Sequence, residues 1–252
     1  MSDKKDGQYM YAIVATDEEK SFGPIGIGDR KDEVCTVCYQ DIGAVISSSP
    51  IDKYSVTRAN TMAHQNVMEK VMNDYPMLPV RFRTIGEGID LIREKVLKGR
   101  YDELKELLTY MEDKMELGLK VLWTSKESTF QEIVEGNKDI RMLRDSLMSK
   151  KVRPQRDQVR LGDMVKKTLE AKKLQEEKAI LDLLKGLWVE HKKNNVFGDQ
   201  MITNSAFLIR KDGEKAFDEM VDKITAEYDG KMKFKYVGPV PPCNFVEIVV
   251  KW

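Results

Sequence analysis

Two hydrophobic rhythms run through the chain. Short apolar runs mark strands, and longer stretches with apolar residues every three or four positions mark helices. Tyr9 to Ala15 is a compact β-leaning run and predicts a buried first strand. Ser21 to Arg30 is rich in Gly and reads as loop. Val34 to Tyr39 and Ala44 to Ser48 predict a hairpin about Gln40-Asp41-Ile42-Gly43. From Ser55 to Asp74, Ala59, Met62, Ala63, Val67 and Val71 recur at helical steps until Pro76 ends the pattern. Met77 to Ile85 predicts a strand, and two amphipathic helices follow over 87–98 and 101–116, separated by Gly99.

The second half repeats this grammar. Leu117 to Thr124 predicts a strand, with Thr124 or Ser125 placed to cap the next helix. Phe130, Ile133, Ile140, Leu143 and Leu147 lie near heptad spacing, and a second helical pattern runs from Gln155 to Lys193. Its stripe of Val165, Leu169, Ile180, Leu184 and Leu187 thins to Leu174 in the middle, which predicts a solvated stretch there. These two patterns predict a projecting helical hairpin over about 127–192. Met201 to Arg210 then reads as strand, Gly213 to Tyr228 as helix, and Lys231 to Val237 as strand. The proline-stiffened loop Gly238 to Pro242 follows, and Phe245 to Lys251 reads as a last strand. The expected class is α+β with two ferredoxin-like lobes, 1–115 and 116–252, the second carrying the hairpin.

Charge narrows the choice of partner. The 252 residues hold 42 Lys plus Arg against 42 Asp plus Glu, so the balanced chain gives no global reason to expect nucleic acid. A charged content of 33% and a mean hydropathy of -0.47 describe a well-wetted surface. The polar start Met1 to Gln8 has no secretory h-region, and no apolar stretch has spanning length, so a cytoplasmic protein without lipid-membrane contact is expected. Three cysteines fit a reducing compartment better than a disulfide framework.

The candidate chemistry is sparse. Cys35 and Cys38 have redox or zinc spacing, but on a strand residues three apart point to opposite faces, and no second pair completes a metal set. His64 lies beside the apolar face of its helix, where packing or hydrogen bonding outweighs catalysis; nothing selects His191 either. Gly23 to Gly28 lacks the order of a phosphate-binding loop. Lys150 to Lys173 carries nine Lys or Arg against three acids but no aromatic residue. That favours a solvated helix docking on an acidic partner over a nucleic-acid platform, and makes Arg156 and Arg160 candidate contacts. Arg81 and Arg83, two apart on the predicted strand, share a face about Phe82. They suit an anion or, more ordinarily, packed stems with paired heads. Met68 and Met72 belong to a Met-rich helix suited to core filling or to an adaptable contact. No nucleophile, base and orienter share a recognisable spacing, so no enzyme, metal or cofactor is expected.

Several segments in order resemble one family. Ala63-His64-Gln65-Asn66-Val67-Met68-Glu69-Lys70-Val71-Met72, followed by Leu78-Pro79-Val80-Arg81-Phe82-Arg83-Thr84-Ile85, is similar to the helix-then-strand signature of the gas vesicle protein L/F family. Tyr9 to Val14, the strand near Val121, Asn204 to Ile209, and Tyr236 to Phe245 resemble it in order and spacing, so the likeness covers about residues 9 to 250. Arg83 stands where the family often has a small residue. The resemblance implies a non-enzymatic accessory or minor structural protein in gas vesicle assembly. Its partners would be the major gas vesicle shell protein and other gas vesicle proteins, and it would be cytoplasmic and associated with the shell. The resemblance carries no catalytic residues. The alternative is a small-ligand-binding or regulatory α+β domain protein.

Overall fold

The computed structural model describes residues 6–51 and 54–252; the polar opening at residues 1–5 lies outside them. The chain forms two compact units. The first gathers the described residues up to Glu116 together with Arg210–Asp212 and Pro239–Trp252, and the second holds Leu117–Ile209 and Gly213–Gly238. The residue pattern ran the second domain to residue 252, whereas the tail from Pro239 onward joins the first unit.

In the first unit, strands β1 (Asp6–Val14), β2 (Ser21–Gly23), β3 (Val34–Tyr39), β4 (Ile42–Pro50), β5 (Met77–Pro79) and β6 (Ile85–Gly86) build one sheet. Their order is β2-β3-β4-β1-β5, with β6 beside β1; β1 runs antiparallel to β4, β5 and β6, and β3 antiparallel to β2 and β4. This order is more elaborate than a four-stranded βαββαβ lobe, although the α+β class stands. β1 is buried throughout Tyr9 to Val14, as expected of a central strand covered on both faces. Helix α1 (Arg58–Met72) packs on β1 and β5. Helix α2 starts as Ile89–Leu91 and continues as the π-helical Ile92–Lys98, which packs on β3 and β4; α3 (Tyr101–Met111) follows. Thr57 caps α1 by accepting the Asn60 N–H at 3.2 Å.

Two expected strands take other forms. Val80 forms a parallel bridge with Ile248, after which Phe82 and Arg83 turn, with Arg83 at φ +72°. The turn is held where the Arg83 N–H donates to Tyr9 Oη at 3.0 Å and Thr84 Oγ1 donates to the Arg81 carbonyl at 2.7 Å. Arg81 and Arg83 therefore do not share a strand face. Phe245 to Lys251 is likewise not a strand: the Phe245 and Val246 N–H groups turn back onto the Pro242 carbonyl, leaving Ile248 to make the bridge.

In the second unit, β7 (Lys114–Trp123), β8 (Glu190–Lys193), β9 (Met201–Arg210) and β10 (Met232–Val240) form a sheet of order β10-β7-β9-β8. Three helices, α4 (Lys126–Gly136), α5 (Lys138–Ser149) and α6 (Gln155–Leu184), pack on one another, and α7 (Glu214–Glu227) packs against α6. The heptad-like pattern from Phe130 to Leu147 is two helices, because Asn137 leaves helical geometry and caps α5 through the Asp139 and Ile140 N–H groups. The long helix ends at Leu184, not Lys193. Gly186 at φ +90° stops it, and residues 190–193 pair antiparallel with β9.

Candidate partner-binding groove

The sequence puts an apolar face on the first half of α6. Leu161, Gly162, Val165 and Leu169 fall at one-, three- and four-residue steps and share one side. Phe130 of α4 and Leu147 and Met148 of α5 face them across an open groove of about 620 Å³. Capping fixes the walls: Ser125 Oγ accepts the Ser128 N–H at 3.1 Å to start α4, and Asn137 starts α5. Met148 is 68% exposed and Val152, in the link to α6, is 80% exposed. Met148 and Val152 meet water, whereas Leu147 and Leu169 are buried at the base of the groove.

The rim is charged and mostly internally paired. Arg144 bonds Glu135 and Asp145, Asp199 pairs with Lys126 at 2.8 Å, and Glu170 lies 3.6 Å from Lys173. Arg153 and Lys166 also line the groove and, among the described residues, enter no ion pair. The unmatched rim charge is positive.

The second half of α6 differs. Lys173 and Glu177 are buried where the thinning apolar stripe predicts solvation, while Ala171, Leu174, Gln175 and Lys178 are exposed as expected. Lys173 Nζ donates to the Gly198 carbonyl at 3.1 Å. Glu177 accepts from Lys193 Nζ and, at 2.7 Å, from Thr203 Oγ1, whose hydroxyl lies 2.9 Å from Ser205 Oγ. Ser205 Oγ meets His191 Nε2 at 3.0 Å. Burial lowers the His191 pKa, with Glu177 acting against it. Thr203 and Ser205 are buried, so this Ser–His pair offers no accessible nucleophile; it fastens α6 to β8 and β9.

In the first unit, Met68 is 4% exposed and belongs to the core with Val67 and Val71, so it cannot serve as a contact residue. Met72 is partly buried and lines an apolar pocket of about 180 Å³ with Tyr75, Met77 and Met111. Arg81 and Arg83 border a separate pocket of about 430 Å³ with Trp252, and Arg81 pairs with Glu247 at 2.6 Å. His64 is buried among Tyr9, Tyr11 and Phe82, with Tyr9 Oη 3.1 Å from Nδ1. Burial pushes its pKa down to about 4, against a hydrogen bond to the Val80 backbone. Cys35 and Cys38 are free thiols whose pKa values burial raises, the opposite of a reactive thiolate.

Arg156 and Arg160 are exposed on α6 but do not line the groove. Arg156 precedes Val165 by about two and a half turns, which sets it on the opposite side of the helix. The sequence pattern marks Phe130, Leu147, Val165 and Leu169 as apolar stripes but misses Met148, Leu161 and Gly162. A glycine in the middle of a long helical pattern was the available signal.

The family model described as gas vesicle synthesis protein GvpL/GvpF matches residues 7–247. Gas vesicle protein F of Nostoc sp. is 26% identical over 204 residues, covering 80% of this chain and 83% of that protein. Gas vesicle protein L1 of Halobacterium salinarum is 26% identical, with 98% and 92% covered. The crystal structure of the gas vesicle protein GvpF from Anabaena sp. superposes with a TM-score of 0.83 at 23% identity, covering 96% of this chain and 99% of that one. That of Microcystis aeruginosa GvpF gives 0.75 at 22%, covering 95% and 98%. Among the described residues no helix is long and apolar enough to cross a membrane. On the strength of a match along nearly its whole length, this chain belongs to the gas vesicle synthesis protein GvpL/GvpF family.

Proposed function

We propose that the protein is a non-enzymatic factor in gas vesicle assembly that binds subunits of the major shell protein before or during their polymerisation. Family membership supports the gas vesicle role, and the observation that carries the contact reading is the open apolar groove between α4, α5 and α6. A subunit destined for a shell presents apolar surface that aggregates unless it is covered. A groove whose apolar lining is partly wetted, at Met148, Leu161 and Val165, gains free energy by covering it. In the first unit the buried His64 and the two half-buried cysteines serve packing, which fits a protein that works by shape.

The test is co-purification of the full chain with the shell protein, beside the double variant Leu161→Glu, Val165→Glu. The expected result is capture by the parent and loss by the variant, with the variant's thermal melt retained. Equal capture by both would remove the groove from the account. Failure of the parent to capture shell protein would sink the assembly reading.

A further inference from the structure

Gly162 is in the interior of a long helix, where glycine is unfavourable relative to alanine. Internal packing does not account for it: a Cβ built there would meet nothing within 4 Å. It lies in the groove between Leu161 and Val165, and its missing side chain leaves the α6 backbone open to close approach from outside. From Leu161 to Leu169 the floor is about 12 Å long, roughly two helical turns, which matches an incoming helix presenting anchors at i, i+3 or i+4, and i+7.

The rim states the occupant's charge. Glu170 and Asp199 face lysine partners and Arg144 faces two carboxylates, whereas Arg153 and Lys166 enter no ion pair among the described residues. Around the rim, Arg156, Arg160 and Lys167 outnumber Asp157 and Asp163 on this half of α6, so the field within about a Debye length of the groove is weakly positive as well.

We infer that the groove is a docking site for one amphipathic α-helix of a partner protein, with an aliphatic stripe flanked by Asp or Glu and its closest approach over Gly162. This deepens the assembly reading and rests on it for the partner's biological identity; the recognition chemistry stands on the groove itself.

The probe is a designed peptide of about four helical turns, with a leucine stripe and glutamate flanks, beside a twin carrying lysine flanks. Binding to the full chain is followed by fluorescence anisotropy. The glutamate peptide is expected to bind at least about tenfold more tightly than its twin, less so as salt rises. Gly162→Leu, which fills the contact, is expected to weaken it about tenfold while the melting temperature stays unchanged or rises. Gly162→Ala, the smaller intrusion, gives an intermediate loss with a melt no lower than the parent's. Equal binding of the two peptides, no binding of either, or full binding by folded Gly162→Leu would each overturn the inference. Glutamate-peptide binding without shell-protein capture would retain the groove and reject the shell protein as its occupant. Shell-protein capture that is indifferent to Gly162→Leu would do the reverse.

Discussion

The aromatic centre of the first unit and the helical hairpin of the second treat polar and apolar groups in opposite ways. Around β1, Tyr9, Tyr11, His64 and Phe82 form a closed set of rings whose polar atoms find partners inside the fold. Tyr11 Oη accepts the Ile27 N–H at 2.8 Å and meets Ser47 Oγ at 2.9 Å. Burial raises its pKa to about 12, so the phenol stays neutral. Across the hairpin, Met148 and Val152 are exposed and Leu161 and Val165 only partly covered, although Leu147 and Leu169 at the base of the groove are buried. The closed centre is explained by the stability of the chain that contains it. The open groove is not, and its surplus apolar surface is what another protein can use.

The contrast can be broken most sharply at Tyr11. Tyr11→Ala removes a fully buried ring and strands the Ile27 N–H, with an expected loss of about 3–5 kcal/mol in urea unfolding. Leu161→Ala in the groove should cost well under about 1 kcal/mol by the same measurement, since that side chain is only partly buried. Comparable losses at the two sites would refute the distinction.

Acid should act on the closed centre next most strongly. The folded-state pKa of His64, about 4, lies below the ordinary 6.5, so the unfolded chain takes up that proton first. The group has no net effect above about pH 6.5, and stability falls as pH drops toward 4, by about 3 kcal/mol in all. His64→Gln should flatten this part of a stability-versus-pH curve; an unchanged slope would show that other groups carry it.

Glu177→Ala tests whether the second half of α6 belongs with the closed region. It removes the acceptor of Thr203, a residue with no exposed area, and should cost about 1–2 kcal/mol in chemical denaturation. A silent substitution would place this half of α6 with the open part. The smallest effect has the opposite sign. Gly162→Ala should stabilise the isolated protein by up to about 1 kcal/mol, visible as a higher melting temperature.

Much of this division was legible in the order of residues. The buried run at Tyr9, the helix ended by Pro76, and the stripe of Val165 and Leu169 follow from periodicity alone, because each is a local pattern with one packed face. What escaped was non-local. Lys173 and Glu177 look like solvated charges until β8 and β9 bring Lys193 and Thr203 to them. The turn at Phe82 and Arg83 reads as strand because its fastening atom, Tyr9 Oη, belongs to a residue 74 positions away. Charge density singles out Arg156 and Arg160 but does not report the side of the helix they occupy. Residue type singles out Met68 but does not separate a core methionine from a contact one.

The return of the chain to the first unit bears on how it is made. Ile248 bridges Val80, Arg100 Nη1 donates to the Val249 carbonyl, and Trp252 crowds Gly86, all through residues synthesised after the entire second unit. On the ribosome, β1 to β6 can pair early, but their sheet lacks these fastenings until Pro239–Trp252 has emerged. A chain stalled at residue 238 would hold a complete hairpin and an unclasped sheet. Proteolysis of such stalled chains should therefore cut within the part translated first.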